Sequence, residues 1–485
     1  MNASSRNRDM DDKPVILINE IGLFRQVARI NNGQLTHYLI EPSIESQREG
    51  DIYLARVEKV VVGLRAAFVS LGRGQSAFLP LDKKFLNEQR VSAGQLLVVQ
   101  VQRLSSHSKP ARVTLDVTLA NPYLVFLPLG DSVVVSKKIK DKNLKRRAQK
   151  EFASLYEAHG WGGGYILRNS FVQLSQEQSL EQVQNLQALW SNIKDQVANH
   201  SEPRLLQHGV EHSFDVIRDW TLNVPSRLIV QSLDYEDLVS RLTQNIPWLD
   251  ITQHSSSGAL FTYFDVHDQI NQLSERKLTL PSGGTLVFDE HEGITSIDVN
   301  SAKQASHGKI DWLATNLEAA KVIAQQLRLR NIGGLIVIDF IDMQKDAHKQ
   351  QLESAFSQCL SSDDAEINVA PLSVFGLVEL TRSRRGPSLN QVKSQECQSC
   401  LGAGHSPSVL TICDQILIEL LDLAGNHPLP AYTIVAAENV VKMLAGLLAE
   451  DQLSILDRIK AQANCEIRLS ADPHKQQHDY AIVLG

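Results

Sequence analysis

Cysteine is scarce in this chain. Five are spread over 485 residues, and an odd, small number excludes a disulfide framework. Aromatics make up only 6%, so any two rings placed close together carry information. No stretch approaches 18 uninterrupted apolar residues, which excludes a transmembrane helix. The opening segment MNASSRNRDMDDKP lacks the apolar run of a secretory signal. Neither a Walker P-loop nor a nucleophile-elbow serine occurs, and Gly160–Gly164 precedes a strand rather than opening a helix, so it is not a dinucleotide fingerprint. No internal repeat is found. At 43% hydrophobic and 21% charged, the composition is that of a folded protein. At about 150 residues per domain, roughly three units are expected, in a soluble, cytoplasmic protein with no membrane partner.

An excess of positive charge is also lacking. With 48 Lys and Arg against 55 Asp and Glu, the net charge of −7 argues against a histone-like nucleic-acid coat. The charge is segregated, however. Gln47 to Lys150 holds 19 basic and 8 acidic residues, and Lys137 to Lys150 (KKIKDKNLKRRAQK) has eight basic residues against one acid. Such a run is either a solvated helix face or part of a surface for a polyanion.

Strands are expected over Val15–Asn19 and Leu23–Ile30, then at Gly50–Val62, Arg65–Leu71, Ala77–Leu81, Gln95–Leu104 and Arg112–Val117. The last five, punctuated by glycines, suggest a small closed barrel of the oligonucleotide-binding type. Phe68 and Phe78 flank its Gly72-Arg73-Gly74 turn. Both rings belong to the barrel core, or they form a platform on which bases stack. Leu180 to Val197 carries apolar residues at helical spacing and reads as scaffold.

Further on, Thr285–Asp289 and Ile294–Asn300 read as strands, with Asp289, Glu290 and Glu292 around the turn between them. A helix is expected over Asp311–Arg330, followed by a very apolar strand run, Leu335–Asp342. Period-two geometry puts Asp298 and Asn300 on one face. The helical crossover makes the Asp339 strand a buried, central neighbour with Asp339 at its carboxyl end, where open α/β sheets bind ligands. Two carboxylates and an amide oxygen make an oxygen-only site suited to Mg²⁺. Alternatively, Asp298 and Asp339 cap strand ends or pair with Arg328 or Arg330. Asp342 is expected on the opposite side from Asp339.

Cys397-Gln-Ser-Cys400 has the spacing of half a structural zinc site. Two copies of the chain could share one Zn²⁺, or His405 or Cys413 could complete a site within one chain. A thioredoxin-like context for a redox pair is not evident.

Three segments, GGLIVIDFIDM (Gly333–Met343), TNLEAAKVIAQQLRLRN (Thr315–Asn331) and PSGGTLVFDEHEGITSIDVNSA, resemble the catalytic region of the ribonuclease E/G family. RAAFVSLGRGQSAFLP is similar to the S1 domain of that family, and FGLVELTRSRRGPSL leading to CQSC to its zinc link. The likeness runs from about Val15 to Cys400 and weakens beyond. Without the long scaffold arm of its E branch, the G branch is the expected one.

The resemblance implies a mixed α/β, multidomain fold. It would comprise an RNase H-like domain (14–46 and 212–277), an inserted S1 barrel (47–117), a 5′-sensor region (118–211), a DNase I-like catalytic subdomain (278–393), a zinc link (394–405) and a small C-terminal domain (406–485). It implies a Mg²⁺-dependent endoribonuclease of rRNA and mRNA processing and decay. The substrate would be single-stranded, A/U-rich RNA, cut to leave 5′-phosphate and 3′-hydroxyl ends. Asp298 and Asp339 match the metal-binding aspartates and Asn300 their assisting asparagine. Phe68, Phe78 and Lys109 match RNA-holding residues of the S1 domain. Cys397 and Cys400 match the zinc-link cysteines, implying one Zn²⁺ between two chains of a homodimer or higher oligomer. Arg168, Asn169, Val125 and Lys137 are the candidates for a 5′-phosphate pocket.

The chain departs from the family in that pocket. Arg168-Asn169 stands where Arg-Thr is usual, and Glu366 and Asn121 fall where a second arginine and a glycine are found. A carboxylate there repels a phosphate, so sensing of the 5′ end is expected to be weak. A divergent RNA-binding paralogue with little cleavage, or a zinc-stapled assembly protein, are the competing expectations.

Overall fold

The computed structural model describes the chain except residues 1–12, 44–46, 82–90, 106–109, 137–138, 140, 223, 256–257, 302–310, 385, 396, 398, 401, 403, 427–430, 447–454 and 485. Lys109 and Lys137 lie outside the described residues. The chain divides into two compact units, Met1–Val392 and Lys393–Gly485. Among the described residues no helix is long and apolar enough to cross a membrane.

The first unit opens with a meander, β1 (Val15–Glu20), β2 (Phe24–Asn31) and β3 (Gln34–Pro42). The third strand was not expected, since Thr36 and His37 interrupt its apolar alternation. Next, β4 (Ile52–Val61), β5 (Ala66–Gly72), β6 (Gln75–Pro80), β7 (Leu96–Arg103) and β8 (Ala111–Thr114) form a sheet ordered β4-β5-β6-β8-β7. It closes through pairing of β4 with β7, giving a five-stranded barrel of the S1/OB kind. Small apolar residues such as Ala67, Val69, Ala77 and Leu79 fill its interior.

The chain continues into β9 (Leu119–Ala120), β10 (Leu124–Leu127), β11 (Val133–Val135) and β12 (Gly164–Leu167), ordered β11-β12-β10-β9. Two helices cover this sheet, α1 (Lys142–His159) and α2 (Gln176–Asn199). A capping box starts α2: Ser175 accepts from the Gln178 backbone and Gln178 reaches back to Ser175. Then β13 (Arg204–Gln207) returns to the barrel and pairs with β4.

After α3 (His212–Thr221) come β14 (Arg227–Ser232), α4 (Tyr235–Asn245) and β15 (Asp250–Gln253). β14 lies parallel to β1, so the first sheet is ordered β15-β14-β1-β2-β3 and everything from β4 to α3 is inserted within it. Two short helices, α5 (Leu260–Tyr263) and α6 (His267–Gln272), pack under it.

The unit ends with β16 (Lys277–Thr279), β17 (Thr285–Glu290), β18 (Ile294–Asn300), α7 (Trp312–Leu329), β19 (Gly334–Asp339), α8 (Asp346–Leu360), β20 (Ile367–Val369), β21 (Leu377–Arg382) and α9 (Leu389–Lys393). Its mixed sheet is ordered β16-β17-β18-β19-β21-β20, and only β18 and β19 are parallel. Helices α7 and α8 cover one face over Leu286, Ile297, Ile336, Ile338 and Leu380. Along the described residues the other face is half-buried to exposed. β19 is thus central in hydrogen bonding but buried on one side only, with Leu335 and Asp339 exposed. An apolar run can mislead here because, on the face away from the helices, Val337 is only half-buried and Leu335 is exposed.

In the second unit, α10 (Val409–Asn426), β22 (Ala431–Ala436), α11 (Glu438–Gly446), α12 (Ile455–Ala463), β23 (Glu466–Ala471) and β24 (Tyr480–Leu484) surround one core. Its sheet is ordered β23-β22-β24.

Candidate active site and RNA-binding face

Alternation along β18 buries Ile297 and Val299 and exposes Asp298 and Asn300. Asp298 is the direct register partner of Asp339 on β19, so their Cα atoms stand about 4.8 Å apart, on the face away from the helices. The Asn300 amide donates to the Asp298 carboxylate. Although its side chain is exposed, partial desolvation raises the Asp339 carboxyl above its usual range, and the charges of Asp298 and Asp342 push it further. Neither Arg328 nor Arg330 neutralises the pair. Arg328 donates to the Thr36 carbonyl at 2.9 Å, and Arg330 lies over the Phe288 ring and binds Gln326.

Asp342 lies beyond the strand. The strand ends at Asp339, so period-two geometry no longer applies, and the Asp342 charge acts on Asp339. Of the acids expected in the turn, Asp289 and Glu290 instead lie within β17, paired with Ser296 and Thr295; Asp289 is bound by Arg276, whose hydrogen bonds hold its carboxyl below the usual range. Glu290 accepts from the Ser388 hydroxyl at 2.9 Å.

Two positioning residues escaped the sequence reading. Asn316, fully buried on α7, donates to the Ile341 carbonyl at 2.7 Å and accepts from the Ile341 N–H at 3.1 Å. It latches the loop that follows Asp339. A wholly buried amide on the apolar side of a helix needs such partners, which was the available signal. Gly284 is the second. A Cβ there would stand 2.9 Å from the Asn300 carbonyl oxygen, so only glycine lets β17 begin this close to the site.

On the barrel, Phe68 and Phe78 face outward and are half-buried. They are cross-strand partners with ring centroids 5.8 Å apart, edge to face. The row continues to exposed cations on both sides. Lys59 on β4 pairs with Phe68, Arg112 on β8 with Phe78, and Arg103 on β7 with Arg112. The barrel thus presents cation, ring, ring, cation, cation across five strands. This excludes the core reading of the two rings.

The carboxylate pair on one sheet face and the basic, aromatic strip on the barrel lie in a chain whose sequence matches a known family. The sequence model of the ribonuclease E/G family matches residues 118–385, more than half the chain. The chain belongs to the ribonuclease E/G family. Membership makes it an endoribonuclease. The chain is 30% identical to ribonuclease G of Escherichia coli K12 over 491 residues, covering 97% of this chain and 99% of the relative. Ribonuclease G of Haemophilus influenzae is 29% identical over 488 residues, covering 93% and 97%. Ribonuclease E of Synechocystis is 33% identical over 386 residues, covering 75% of this chain and 56% of that protein.

The matched span of the ribonuclease E/G family includes Asp298, Asn300, Asp339 and the remaining 5′-pocket candidates. Arg168 follows β12, and its buried Nη1 finds no hydrogen-bond partner among the described residues, lying 3.6 Å from Asp215. Burial, then the neighbouring Arg218, pull its guanidinium pKa down to about 10. Asn169 starts a short 3₁₀ turn and Val125 sits half-buried on β10. Asn121 is occupied by structure: its carbonyl oxygen accepts from the N–H groups of Tyr123 and Leu124, and its amide donates to Gln182. Glu366 is exposed beside β20, and no ion pair joins it to Arg168 among the described residues.

In the second unit, Cys397 is exposed and Cys400 half-buried. Backbone N–H groups of Cys400 and Ser399 draw the Cys397 thiol below its usual pKa, favouring thiolate. Cys413 is buried in α10, its sulfur 3.8 Å from the Val440 carbonyl, and His405 is exposed. Among the described residues no three metal-binding side chains come together, so neither one completes a site with the pair.

Proposed function

We propose that the chain is a Mg²⁺-dependent endoribonuclease that cuts single-stranded, A/U-rich RNA into 5′-phosphate and 3′-hydroxyl fragments, in rRNA and mRNA processing and decay. One observation carries this reading: Asp298 and Asp339 are paired on one sheet face, with Asp342 adding charge and, among the described residues, no ion pair compensating them. Such a donor set fits a hard divalent ion. Asp298 and Asp339 would hold Mg²⁺, which supplies Lewis-acid stabilisation of the phosphoryl group and an acidified water.

The chain's own residues do the rest. The Asn300 amide orients the Asp298 carboxylate, and Asn316 keeps Asp342 and the end of β19 in place. The carboxylate face leaves room for a phosphodiester. Phe68 and Phe78 stack bases while Lys59, Arg112 and Arg103 neutralise phosphates; Lys109 joins them on the strength of its position in the family motif. In this reading, residues 14–46 and 212–277 form the RNase H-like domain, 47–117 the S1 domain, 118–211 the 5′-sensor, 278–393 the DNase I-like subdomain, 394–405 the zinc link and 406–485 a small C-terminal domain. Two thiolates are half of a tetrahedral set, so Cys397 and Cys400 would share one Zn²⁺ with a second copy in a cytoplasmic homodimer.

Arg168 lies beside Asp215 and Asp219, and Asn121 is tied into its turn. A 5′-monophosphate should therefore give only a modest gain in rate. Purified protein, Mg²⁺ and unstructured RNA with varied 5′ ends test the whole proposal. Asp298→Ala and Asp339→Ala should each lose at least about 100-fold in rate, the equivalent of several kcal/mol of metal stabilisation. Undiminished cleavage by both variants would sink it.

A further inference from the structure

We infer that Phe375 is a stacking residue for a base next to the scissile phosphate, a positioning contact on the catalytic sheet separate from the barrel. The inference rests on the carboxylates being the cleavage site. Aromatics are few in this chain, yet Phe375 is 82% exposed, and Val374 beside it is 96% exposed. Burial is the usual fate of such side chains, so this exposure is unusual.

The turn that carries the ring is rigidly tied. Ser373 N–H donates to the Leu377 carbonyl at 2.9 Å and Gly376 N–H to the Ser373 carbonyl at 3.0 Å. The Ser373 hydroxyl accepts from Phe375 and Leu377 N–H, and Leu372 N–H donates to Glu353 at 2.7 Å. Gly376 takes a φ of +82°, and a Cβ there would stand 3.4 Å from an Asp342 carboxylate oxygen. The turn therefore abuts the acidic cluster. Leu377 is the register partner of Asp339, which places the Phe375 Cα within about 12 Å of the Asp339 Cα, two residues further along.

Between the turn and Phe340–Met343 lies a cavity of about 200 Å³, room for one nucleobase. Met343 and Leu372 give it apolar walls, while Asp342 and Lys349 supply polar edges. A strand whose phosphate reaches Asp298 and Asp339 passes this turn within one or two nucleotides. A second copy of the chain seated here would cover Asp342 and block the substrate, so RNA is the occupant the surface favours. Stacking accepts any base, so the contact grips without selecting sequence.

The test uses the full chain, Mg²⁺ and a single-stranded oligoribonucleotide with one cleavage site, carrying a single abasic ribonucleotide at each flanking position in turn. Phe375→Ala should lower kcat/KM about 5- to 100-fold, while Phe375→Trp should keep it near wild type. Wild type should lose a similar factor when one particular base is missing, and Phe375→Ala should lose nothing more at that position. Unchanged kcat/KM in Phe375→Ala overturns the inference, as do equal abasic losses in both proteins or an altered sedimentation coefficient marking a contact between copies. Wild type that cuts no RNA would overturn the cleavage reading and this inference together. Phe375→Ala that cuts like an active wild type overturns this inference alone.

Discussion

The row across the barrel allows salt dependence to separate its rings from its cations. Lys59, Arg112 and Arg103 flank Phe68 and Phe78 on adjacent strands. At about 4.8 Å per strand, four gaps span about 19 Å. If each cation neutralises one phosphate of a single strand, the row contributes a slope of about −2 to log K against log salt, near −0.7 per contact. Between 50 and 200 mM salt that amounts to a loss of roughly 20-fold in affinity. Arg112→Gln should flatten the slope by about 0.7. Phe68→Ala should instead weaken binding by about 1–3 kcal/mol at every salt concentration and leave the slope unchanged. Fluorescence anisotropy of a labelled single-stranded oligonucleotide, in a cleavage-disabled Asp298→Asn background, reads both quantities. A Phe68→Ala variant that binds like its parent, or an Arg112→Gln variant with the parental slope, would refute the assignment of this face.

Three further outcomes are expected. The His37 ring packs tilted against Trp220 at 4.9 Å, and burial with the facing cations Arg328, Arg29 and Arg382 pushes its pKa down to about 3, against the opposing charge of Asp363. Its neutral form is the folded one, so its contribution is intact above pH 6.5 and falls by about 1.4 kcal/mol per pH unit below that, about 2 kcal/mol at pH 5. Urea unfolding at pH 7 and pH 5 should show this term in wild type and not in His37→Gln; equal shifts in both would contradict it. Asn316→Ala strands the Ile341 N–H and carbonyl, which should cost about 2–6 kcal/mol and lower kcat more than KM rises, as read by melting and kinetics. An unchanged melting temperature would show the latch to be idle. Metal analysis should find one zinc per two chains, with Cys397→Ser losing it and sedimenting as a monomer; one zinc per chain would point to a different ligand set.

The barrel was legible because its glycines mark where each strand stops, and the carboxylates because alternation puts Asp298 and Asn300 on one side of a strand. The outward aim of Phe68 and Phe78 could also have been read: they share parity with Ser70 and Ser76, while Ala67, Val69, Ala77 and Leu79 form the other set. Other features depended on partners far along the chain. Asn316 finds its hydrogen bonds 25 residues away, on a loop whose position only the folded sheet defines. Strand alternation does not reach Asp342, because β19 ends three residues earlier than the apolar run suggests. β14 pairs with β1 although the whole inserted segment separates them, and no local pattern announces that.

That last pairing sets an order of events during synthesis. β1 is a central strand, VILINE, and its partner β14 begins at Arg227. At about 5–20 residues per second, roughly 200 residues take about 10–40 s to emerge, long enough for the barrel to fold first. Throughout that interval one edge of β1 offers unpaired backbone N–H and C=O groups to any other strand. A nascent chain held before Arg227 would be the stage most exposed to aggregation, and the stage at which a chaperone has most to do.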